Sequence, residues 1–256
     1  MKDAARRSSP VARDDGAFGR WPALDAPALP EADEVRVVRL FLDEPPATGD
    51  GDTLSTAERE RAARFVFPLH RDRFVAARAG LRRVLGLCLG RAPEGLVFEY
   101  SDRGRPRLAP PLGLDFNLAH SGDVALLALG TCTVGVDVEM MRDMPNVLTI
   151  ARRFFAPAEV AALIRLDGEA RRRGFFHAWT RKEALIKAAG VGLAALGDTE
   201  VALDAQANPT VFSAPGGVEG WRLFHLEPCA GYVGALAVRG ANENVRVTTW
   251  SERRPS

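Results

Sequence analysis

The sequence predicts an α+β protein made of two pseudo-symmetric halves, each with a small antiparallel sheet packed against one long helix. Two observations indicate this class. Strand-like and helix-like segments run in the order strand, helices, strands, and the same order returns after about residue 130. A long amphipathic segment occurs once in each half. The predicted division is a tail at 1–33, halves at 34–130 and 131–250, and a short tail at 251–256.

Composition agrees with a folded globular chain. Of the 256 residues, 46% are hydrophobic and 26% are charged, which are ordinary values for such proteins. Lys and Arg number 34 against 33 Asp and Glu, so the net charge of +1 argues against nucleic-acid binding. Cys88, Cys132 and Cys229 lie far apart, which excludes a CxxC metal site and favours a reducing compartment. We expect a cytoplasmic protein without a signal peptide or membrane span.

The first elements follow a tail that is rich in Ala, Pro, Arg and Asp and has no stable period, so residues 1–33 are predicted to be flexible. Alternating apolar residues then predict a strand over about 35–42. Ser55 and Glu58 have the spacing of a capping box, which predicts a helix that begins there and ends near residue 66.

The rest of the N-terminal half contains the first long helix, at about 70–89, whose apolar residues recur at helical spacing. Gly122 and Asp123 are typical of a hairpin turn between two strands. Short apolar runs predict strands at 96–100, 115–119 and 124–129.

The C-terminal half repeats this order, beginning with a strand at 133–139 after the Gly130-Thr131 turn. Pro157 and Glu159 suit the first turn of a helix that ends near Leu166. A second long helix is predicted at 171–189, before Gly190. Four short strands follow, at 200–203, 221–226, 232–238 and 245–250.

Two acidic residues on one predicted strand are the strongest local signal for chemistry. Side chains alternate along a strand, so Asp137 and Glu139 lie on one face while Val136 and Val138 lie on the other. Neighbouring carboxylates repel one another unless a cation, a proton or solvent intervenes, and hard oxygen ligands favour Mg²⁺ over zinc. The alternative, a solvated polar sheet face, explains the same pattern.

A lysine in the apolar stripe of the second long helix is the next signal. Lys182 falls in the middle of an arc that includes Trp179 and Ile186, so its ammonium must reach past that face or meet a buried anion. Glu183 and Lys187 are four residues apart and share one flank of the helix. A surface ion pair accounts for Glu183 and Lys187 but does not account for Lys182.

Further signals lie where a predicted strand enters a turn and where arginines cluster. His120 ends its strand, a position from which a side chain can reach a ligand, although a hydrogen-bonded turn histidine is the alternative. The segment Asp102-Arg103-Gly104-Arg105-Pro106 is a basic turn. Arg61 and Arg73 belong to a group of arginines on or beside the first two helices, which is usually a solvated face unless an anion binds there.

Taken together, the motifs resemble those of the 4′-phosphopantetheinyl transferases, and the surfactin-type group with two halves in one chain fits best. The resemblance spans about residues 35–250. It rests on Phe116-Asn117-x-x-His120-Ser121, Gly135-Val136-Asp137-Val138-Glu139, Arg153-Phe154-Phe155 with Glu159, Trp179-x-x-Lys182-Glu183-Ala184-x-x-Lys187 and Gly190-x-Gly192-Leu193.

The resemblance implies the fold of that family and its reaction. Phosphopantetheine would pass from coenzyme A to a serine of an apo acyl or peptidyl carrier protein, and adenosine 3′,5′-bisphosphate would be released. Mg²⁺, or Mn²⁺, would be the cofactor, and the protein would be a monomer. A Mg²⁺-dependent hydrolase of nucleotide pyrophosphates and a non-catalytic module that binds coenzyme A or carriers remain as alternatives.

The resemblance also assigns roles to residues. The implied metal ligands are Asp137, Glu139 and Glu183. The implied catalytic residues are Glu183, Lys187 and His120, with Lys187 facing the pyrophosphate and Glu183 a candidate base for the carrier serine. The implied contacts with coenzyme A are Arg61, Arg73, Gly104, Arg105, Pro106, His120, Lys182 and Lys187, of which Arg61 and Arg73 would lie near the 3′-phosphate.

Two residues depart from the family pattern. Ala119 stands where a serine is usual, and this change predicts the loss of one hydroxyl contact with phosphate. Glu58 stands where related sequences can have a lysine near the 3′-phosphate, and a carboxylate there would weaken phosphate binding. We also expect the segment Met140–Arg153, with its apolar and basic residues, to recognise the carrier.

Overall fold

A computed structural model describes residues 21–24, 28–241 and 244–252, which form six α-helices and eleven β-strands. The helices are α1 (Asp50–Thr53), α2 (Thr56–Ala63), α3 (Pro68–Leu89), α4 (Val147–Phe154), α5 (Pro157–Arg165) and α6 (Gly168–Ala189). The strands are β1 (Glu34–Phe41), β2 (Phe98–Tyr100), β3 (Pro106–Leu108), β4 (Asp115–Ser121), β5 (Val124–Gly130), β6 (Thr133–Met140), β7 (Glu200–Val201), β8 (Val211–Ser213), β9 (Trp221–Leu226), β10 (Tyr232–Arg239) and β11 (Arg246–Ser251).

Two main sheets form the centre of the molecule. The first has the strand order β11-β1-β5-β4, and the second has the order β6-β10-β9. Neighbouring strands are antiparallel except for β1 and β11, which run parallel. The last strand, β11, therefore joins the sheet of the N-terminal half, although the sequence places it in the C-terminal half.

The layers follow from the alternation of side chains along these strands. Leu40 and Leu127 face α3, and Ala235 and Ala237 face α6, so each sheet has one long helix on its outer side. Residues on the opposite faces pack together in a third cluster between the two sheets, which contains Val35, Val37, Leu126, Val134, Val136, Val138, Leu236 and Val238. The predicted α+β class and its two long helices are confirmed.

Side chains of β4 join the two sheets where β4 runs beside β6. Asp115 Oδ2 accepts a hydrogen bond from the backbone N–H of Val134 at 3.0 Å, and Asn117 Oδ1 accepts one from Val136 at 2.8 Å. Ser121 Oγ accepts one from Met140 at 3.2 Å. These side chains satisfy backbone donors that would otherwise be unpaired in the core. Ala119 lies on the same face of β4 but has no side-chain acceptor to offer.

Some elements and boundaries differ from the prediction. α1, β3, α4 and β8 were not predicted, because three of them span only three or four residues and the sequence of α4 contains β-branched residues. The Ser55–Glu58 capping box is confirmed, with both of its reciprocal hydrogen bonds present.

The predicted tails also need correction where they are described. Trp21 and Leu24 are buried, and Ala23 pairs with Ser251, so these residues belong to the folded unit because their apolar side chains pack on it. Residues 1–20, 25–27 and 253–256 of the predicted tails lie outside the described residues. None of the helices in the described part of the chain has the length and apolar character needed to cross a bilayer.

Gly135 sets how closely α6 approaches β6. A Cβ atom at this position would collide with the carbonyl oxygen of Ala184 and with the backbone nitrogen of Ala188, both on α6. Only glycine lets the helix backbone rest directly on the strand at this point. The contact places the last two turns of α6 beside Asp137, two residues further along β6.

We expect Gly135→Ala to lower the free energy of unfolding by about 1–3 kcal/mol or more, because the added methyl group overpacks a rigid backbone contact. Chemical denaturation measured by circular dichroism would show it. Gly51→Ala is the matched control, since a Cβ there meets open space within α1. Equal stability of the Gly135→Ala variant and the wild type would contradict this account of the contact.

Candidate active site

Acidic and basic side chains from β6 and α6 meet at the contact that Gly135 permits. Asp137 is buried on β6, and its Oδ1 accepts a hydrogen bond from Lys187 Nζ at 2.5 Å. Glu183 lies one helical turn before Lys187 and is buried as well. Glu139 is half-buried and accepts a hydrogen bond from Ser121 Oγ at 2.7 Å. The structure thus brings together four residues that are up to 50 positions apart.

Electrostatics show that this cluster lacks positive charge. Burial, which outweighs the attraction of Lys187, raises the pKa of Asp137 to about 7, and the charges of Glu139 and Glu183 add to the rise. Burial also raises the pKa of Glu183, with a further contribution from Glu139. Burial by itself would lower the pKa of Lys187, but Asp137, Glu183 and Glu139 together raise it. One lysine therefore serves three carboxyl groups.

The donor chemistry fits a divalent cation. The three side chains offer hard oxygen ligands, and the buried Asp137 Oδ2 has no hydrogen-bond partner within the described residues. In the described residues, however, no three His, Cys, Asp or Glu side chains form a group that could hold a metal ion as they stand. Asp137 instead pairs with Lys187.

A second cluster, of cations, surrounds His120 at the exposed end of β4. Desolvation lowers the pKa of His120, and the positive charges of Lys187, Arg73, Arg78 and Arg61 lower it further. Arg73 forms an ion pair with Asp123, and Arg61 stacks on the Phe74 ring at 5.3 Å from its centroid. The cations that act on His120 make this end of β4 electropositive, which favours an anionic ligand.

Arg105 joins the predicted basic turn to the end of α6. Its guanidinium donates to both carboxylate oxygens of Asp115, at 2.8 and 2.9 Å, and to the carbonyl oxygen of Lys187 at 2.8 Å. It also donates to the carbonyl oxygens of Phe116 and Val134. The side chain is therefore committed to internal contacts, and the expected contact of this turn with coenzyme A stays a prediction. Beside the turn lies a cavity of about 230 Å³ whose lining includes Gly104, Pro106, Asn117, Lys187 and Gly190.

Lys182 meets a buried anion, which is one of the two places that its position in the apolar stripe predicts. It is 0% exposed, and its ammonium pairs with the buried Glu159 carboxylate and donates to the carbonyl oxygen of Thr199. Glu159 in turn accepts hydrogen bonds from the backbone N–H groups of Ala156 and Val201. Glu159 therefore supplies the buried anion that the position of Lys182 requires, and the expected contact of Lys182 with coenzyme A stays a prediction.

Glu58 also differs from its expected position. It is 3% exposed, and its Oε2 accepts hydrogen bonds from Ser55 N at 2.9 Å and from Arg82 Nε at 2.8 Å. Its charge is thus balanced inside the protein, which corrects the expectation that it opposes an anion at the cation cluster. Ala119 is buried between the two sheets, so its side chain does not lie on the same face of β4 as His120.

Two residues of these clusters were missed by the sequence analysis. Ser121 lies in a motif that predicted no role for it, yet its hydroxyl donates a hydrogen bond to Glu139. Arg78 is a nearly buried arginine on α3 that acts on His120. The sequence does contain a signal for Arg78, namely a charged residue at a position of the apolar stripe. Arg78 lies between Ala77 and Leu81 on the stripe of α3, just as Lys182 lies on the stripe of α6.

Comparisons with known proteins agree on one family. Residues 133–237 match the model of the 4′-phosphopantetheinyl transferase superfamily. The chain is 40% identical over 215 residues to the 4′-phosphopantetheinyl transferase HetI of Nostoc sp., covering 82% of this chain and 89% of that protein. It is 29% identical over 171 residues to the 4′-phosphopantetheinyl transferase Sfp of Bacillus subtilis, covering 62% and 72%. It is 35% identical over 145 residues to the 4′-phosphopantetheinyl transferase AcpT of Escherichia coli, covering 56% and 71%.

The Lys182–Glu159 pair leads to a stability prediction. Lys182→Met should lower the free energy of unfolding by about 3–5 kcal/mol, because it leaves a buried carboxylate without its partner. Adding Glu159→Gln removes that charge and should recover part of the loss. Denaturant titrations of both variants measure the effect, and a Lys182→Met protein as stable as the wild type would show that the pair is not a core interaction.

Proposed function

Because the chain belongs to the 4′-phosphopantetheinyl transferase superfamily, we propose that it transfers 4′-phosphopantetheine from coenzyme A to a serine hydroxyl of an apo carrier protein. The serine oxygen forms a new bond to the phosphorus attached to pantetheine. The pyrophosphate bond breaks, and adenosine 3′,5′-bisphosphate leaves. We assign the chain to the surfactin-type group, because one chain contains both halves.

The observation that carries this proposal is the convergence of Asp137, Glu139, Glu183 and Lys187 at the contact between β6 and α6, with the cation cluster of His120 nearby. A transfer that breaks a pyrophosphate bond needs cations on the phosphates at both sides of that bond. A phosphate-rich substrate such as coenzyme A suits a site in which cations and carboxylates occupy adjacent places.

Asp137, Glu139 and Glu183 would hold Mg²⁺, or Mn²⁺, since all three supply oxygen ligands and their charges act on one another. When bound there, the ion neutralises negative charge on the pyrophosphate. Lys187 would then exchange its contact with Asp137 for a contact with the phosphates. Its pKa is raised, so the ammonium keeps its charge for that role.

Glu183 is the proposed proton acceptor for the carrier serine. Burial raises the pKa of its carboxyl group, whereas Mg²⁺ held by the same carboxylate would make it a weaker base. His120 would contact a phosphate of coenzyme A from the exposed end of β4. Because its pKa is lowered, it would do so as a neutral N–H donor until the phosphate charge favours protonation.

Arg61 and Arg73 would bind coenzyme A phosphate, and the Gly104–Pro106 turn would border the nucleotide. Arg61 is exposed, and no carboxylate of the described residues forms an ion pair with it, so it is available to a ligand. The nucleotide would lie in the cavity beside the turn and would contact the backbone of the turn. The Arg105 side chain is not available for this contact, because it binds Asp115 and the carbonyl oxygen of Lys187. Lys182 has no part in this proposal.

For the carrier, we propose the segment Met140–Arg153 as the docking region. Arg142, Arg152 and Arg153 are exposed along it, and a cavity of about 330 Å³ lies beside Met144 and Leu148. Such a surface suits carrier domains, which are typically acidic. We further propose that the protein acts as a cytoplasmic monomer.

One assay separates this function from the two alternatives. The full chain is incubated with coenzyme A, Mg²⁺ and several apo carriers, and the carriers are then analysed by intact mass. Addition of one phosphopantetheine group to a carrier serine is the expected result. Hydrolysis of coenzyme A without any carrier would point to a pyrophosphate hydrolase, and binding without turnover would point to a non-catalytic module.

Three substitutions test the assigned residues. Asp137→Ala and Glu183→Ala should each remove most turnover, because each deletes a proposed ligand of the metal ion. The fold should survive, because the loss of one carboxylate relieves the repulsion within the cluster. Lys187→Ala should lower kcat more than it raises KM for coenzyme A, because its charge is needed most as the leaving bisphosphate forms. Carrier-modification rates and thermal melts are the measurements, and near-normal rates in all three would overturn the assignment.

A further inference from the structure

The hydroxyl of Ser121 connects the end of β4 to Glu139 on β6. Ser121 Oγ accepts a hydrogen bond from the backbone N–H of Met140 at 3.2 Å and lies 2.7 Å from Glu139 Oε2. An ionised carboxylate only accepts hydrogen bonds, so the single proton of the hydroxyl points to Glu139. The serine is therefore an acceptor for the strand backbone and a donor to the carboxylate, and the two contacts together fix its oxygen.

The turn that follows Ser121 is itself held by the C-terminal half of the chain. Asp123, two residues further along, donates its backbone N–H to the Tyr232 hydroxyl on β10 at 3.0 Å. Gly122 lies so close to Tyr232 that a Cβ atom at this glycine would collide with the hydroxyl oxygen. Tyr232 is buried and belongs to the cluster between the two sheets. Ser121 thus approaches Glu139 from a support that the core holds in place.

Each acidic residue of this part of β6 has one oxygen bound within the protein and one oxygen without a donor. Lys187 binds Asp137 Oδ1, and the buried Oδ2 has no hydrogen-bond partner in the part of the chain that is described. Ser121 binds Glu139 Oε2, and among the described residues none donates to Oε1. Glu139 is half-buried, and a glutamate side chain has considerable rotamer freedom. The hydrogen bond from Ser121 is therefore the contact that orients this carboxylate.

We propose that Ser121 is a positioning residue, which orients Glu139 for the divalent cation and so sets how tightly that ion binds. This inference rests on the proposed function, in which Asp137, Glu139 and Glu183 hold the ion. A carboxylate that is already fixed through one oxygen loses less side-chain freedom when its other oxygen binds a metal. Ser121 acts through Glu139 and not on the reacting atoms.

Binding of Mn²⁺ to the full chain, measured by electron paramagnetic resonance with coenzyme A and without any carrier protein, tests this role separately from turnover. Ser121→Ala should weaken Mn²⁺ binding by about ten-fold or more, which is the usual effect of losing a group that orients a metal ligand. Ser121→Thr keeps the hydroxyl and should retain most of the affinity. Ser213→Ala is the matched control, because it removes another half-buried serine hydroxyl, one that donates to the carbonyl oxygen of Asp198. The control should leave Mn²⁺ affinity unchanged.

A double-mutant cycle with Glu139→Gln separates positioning from a merely structural role. Once the Glu139 carboxylate is gone, adding Ser121→Ala should weaken Mn²⁺ binding further by less than about two-fold, because the serine has nothing left to orient. Thermal melts should show that Ser121→Ala and Ser121→Thr are both folded.

Four results would each overturn the inference: an unfolded Ser121→Ala protein, an unchanged Mn²⁺ affinity in that variant, an equal loss with and without the Glu139 carboxylate, or a wild type that does not bind Mn²⁺. A wild type whose Mn²⁺ binding depends on Ser121 in this way but that modifies no carrier would instead count against the proposed function alone.

Discussion

The backbone contact between α6 and β6 at Gly135 is the constraint on which the candidate site depends. Without a side chain at this position, the helix rests on the strand, and its last turns come within reach of Asp137. Glu183 and Lys187 belong to the helix, whereas Asp137 and Glu139 belong to the strand. A larger residue would separate the two pairs by moving a rigid helix, since packed backbones have little room to adjust.

The two lysines of α6 show how burial decides the role of a charge. Lys182 and Lys187 are five residues apart, which places them on different sides of one helix. Lys182 is enclosed by the core and balanced by Glu159, so it stabilises the packing of α5 and β7 around α6. Lys187 is half-exposed and faces several carboxylates that it cannot all balance. The carboxylates around Lys187 therefore carry negative charge that this lysine does not balance, and such unbalanced charge is characteristic of functional sites.

The joining of the two sheets places the cation cluster beside the carboxylate cluster. Asp115, Asn117 and Ser121 on β4 accept hydrogen bonds from the backbone edge of β6 that does not pair with β10. Arg105 adds contacts from the basic turn to Asp115 and to the end of α6. His120 extends from the opposite face of β4 towards Lys187 and the arginines of α2 and α3. Residues of both halves therefore share one site, in agreement with a family whose substrate carries several phosphates.

The sequence by itself determined the α+β class, the long helices and the capping box at Ser55, because these depend on local periodicity and spacing. Only the tertiary structure decided which charges are balanced inside the protein. Lys182 and Arg105 looked available to a ligand, and Glu58 looked placed to repel one, but partners distant in sequence engage all three. Charge balance in a core is a long-range property: a pattern shows that a buried ion needs a partner, and the fold determines whether the protein supplies it.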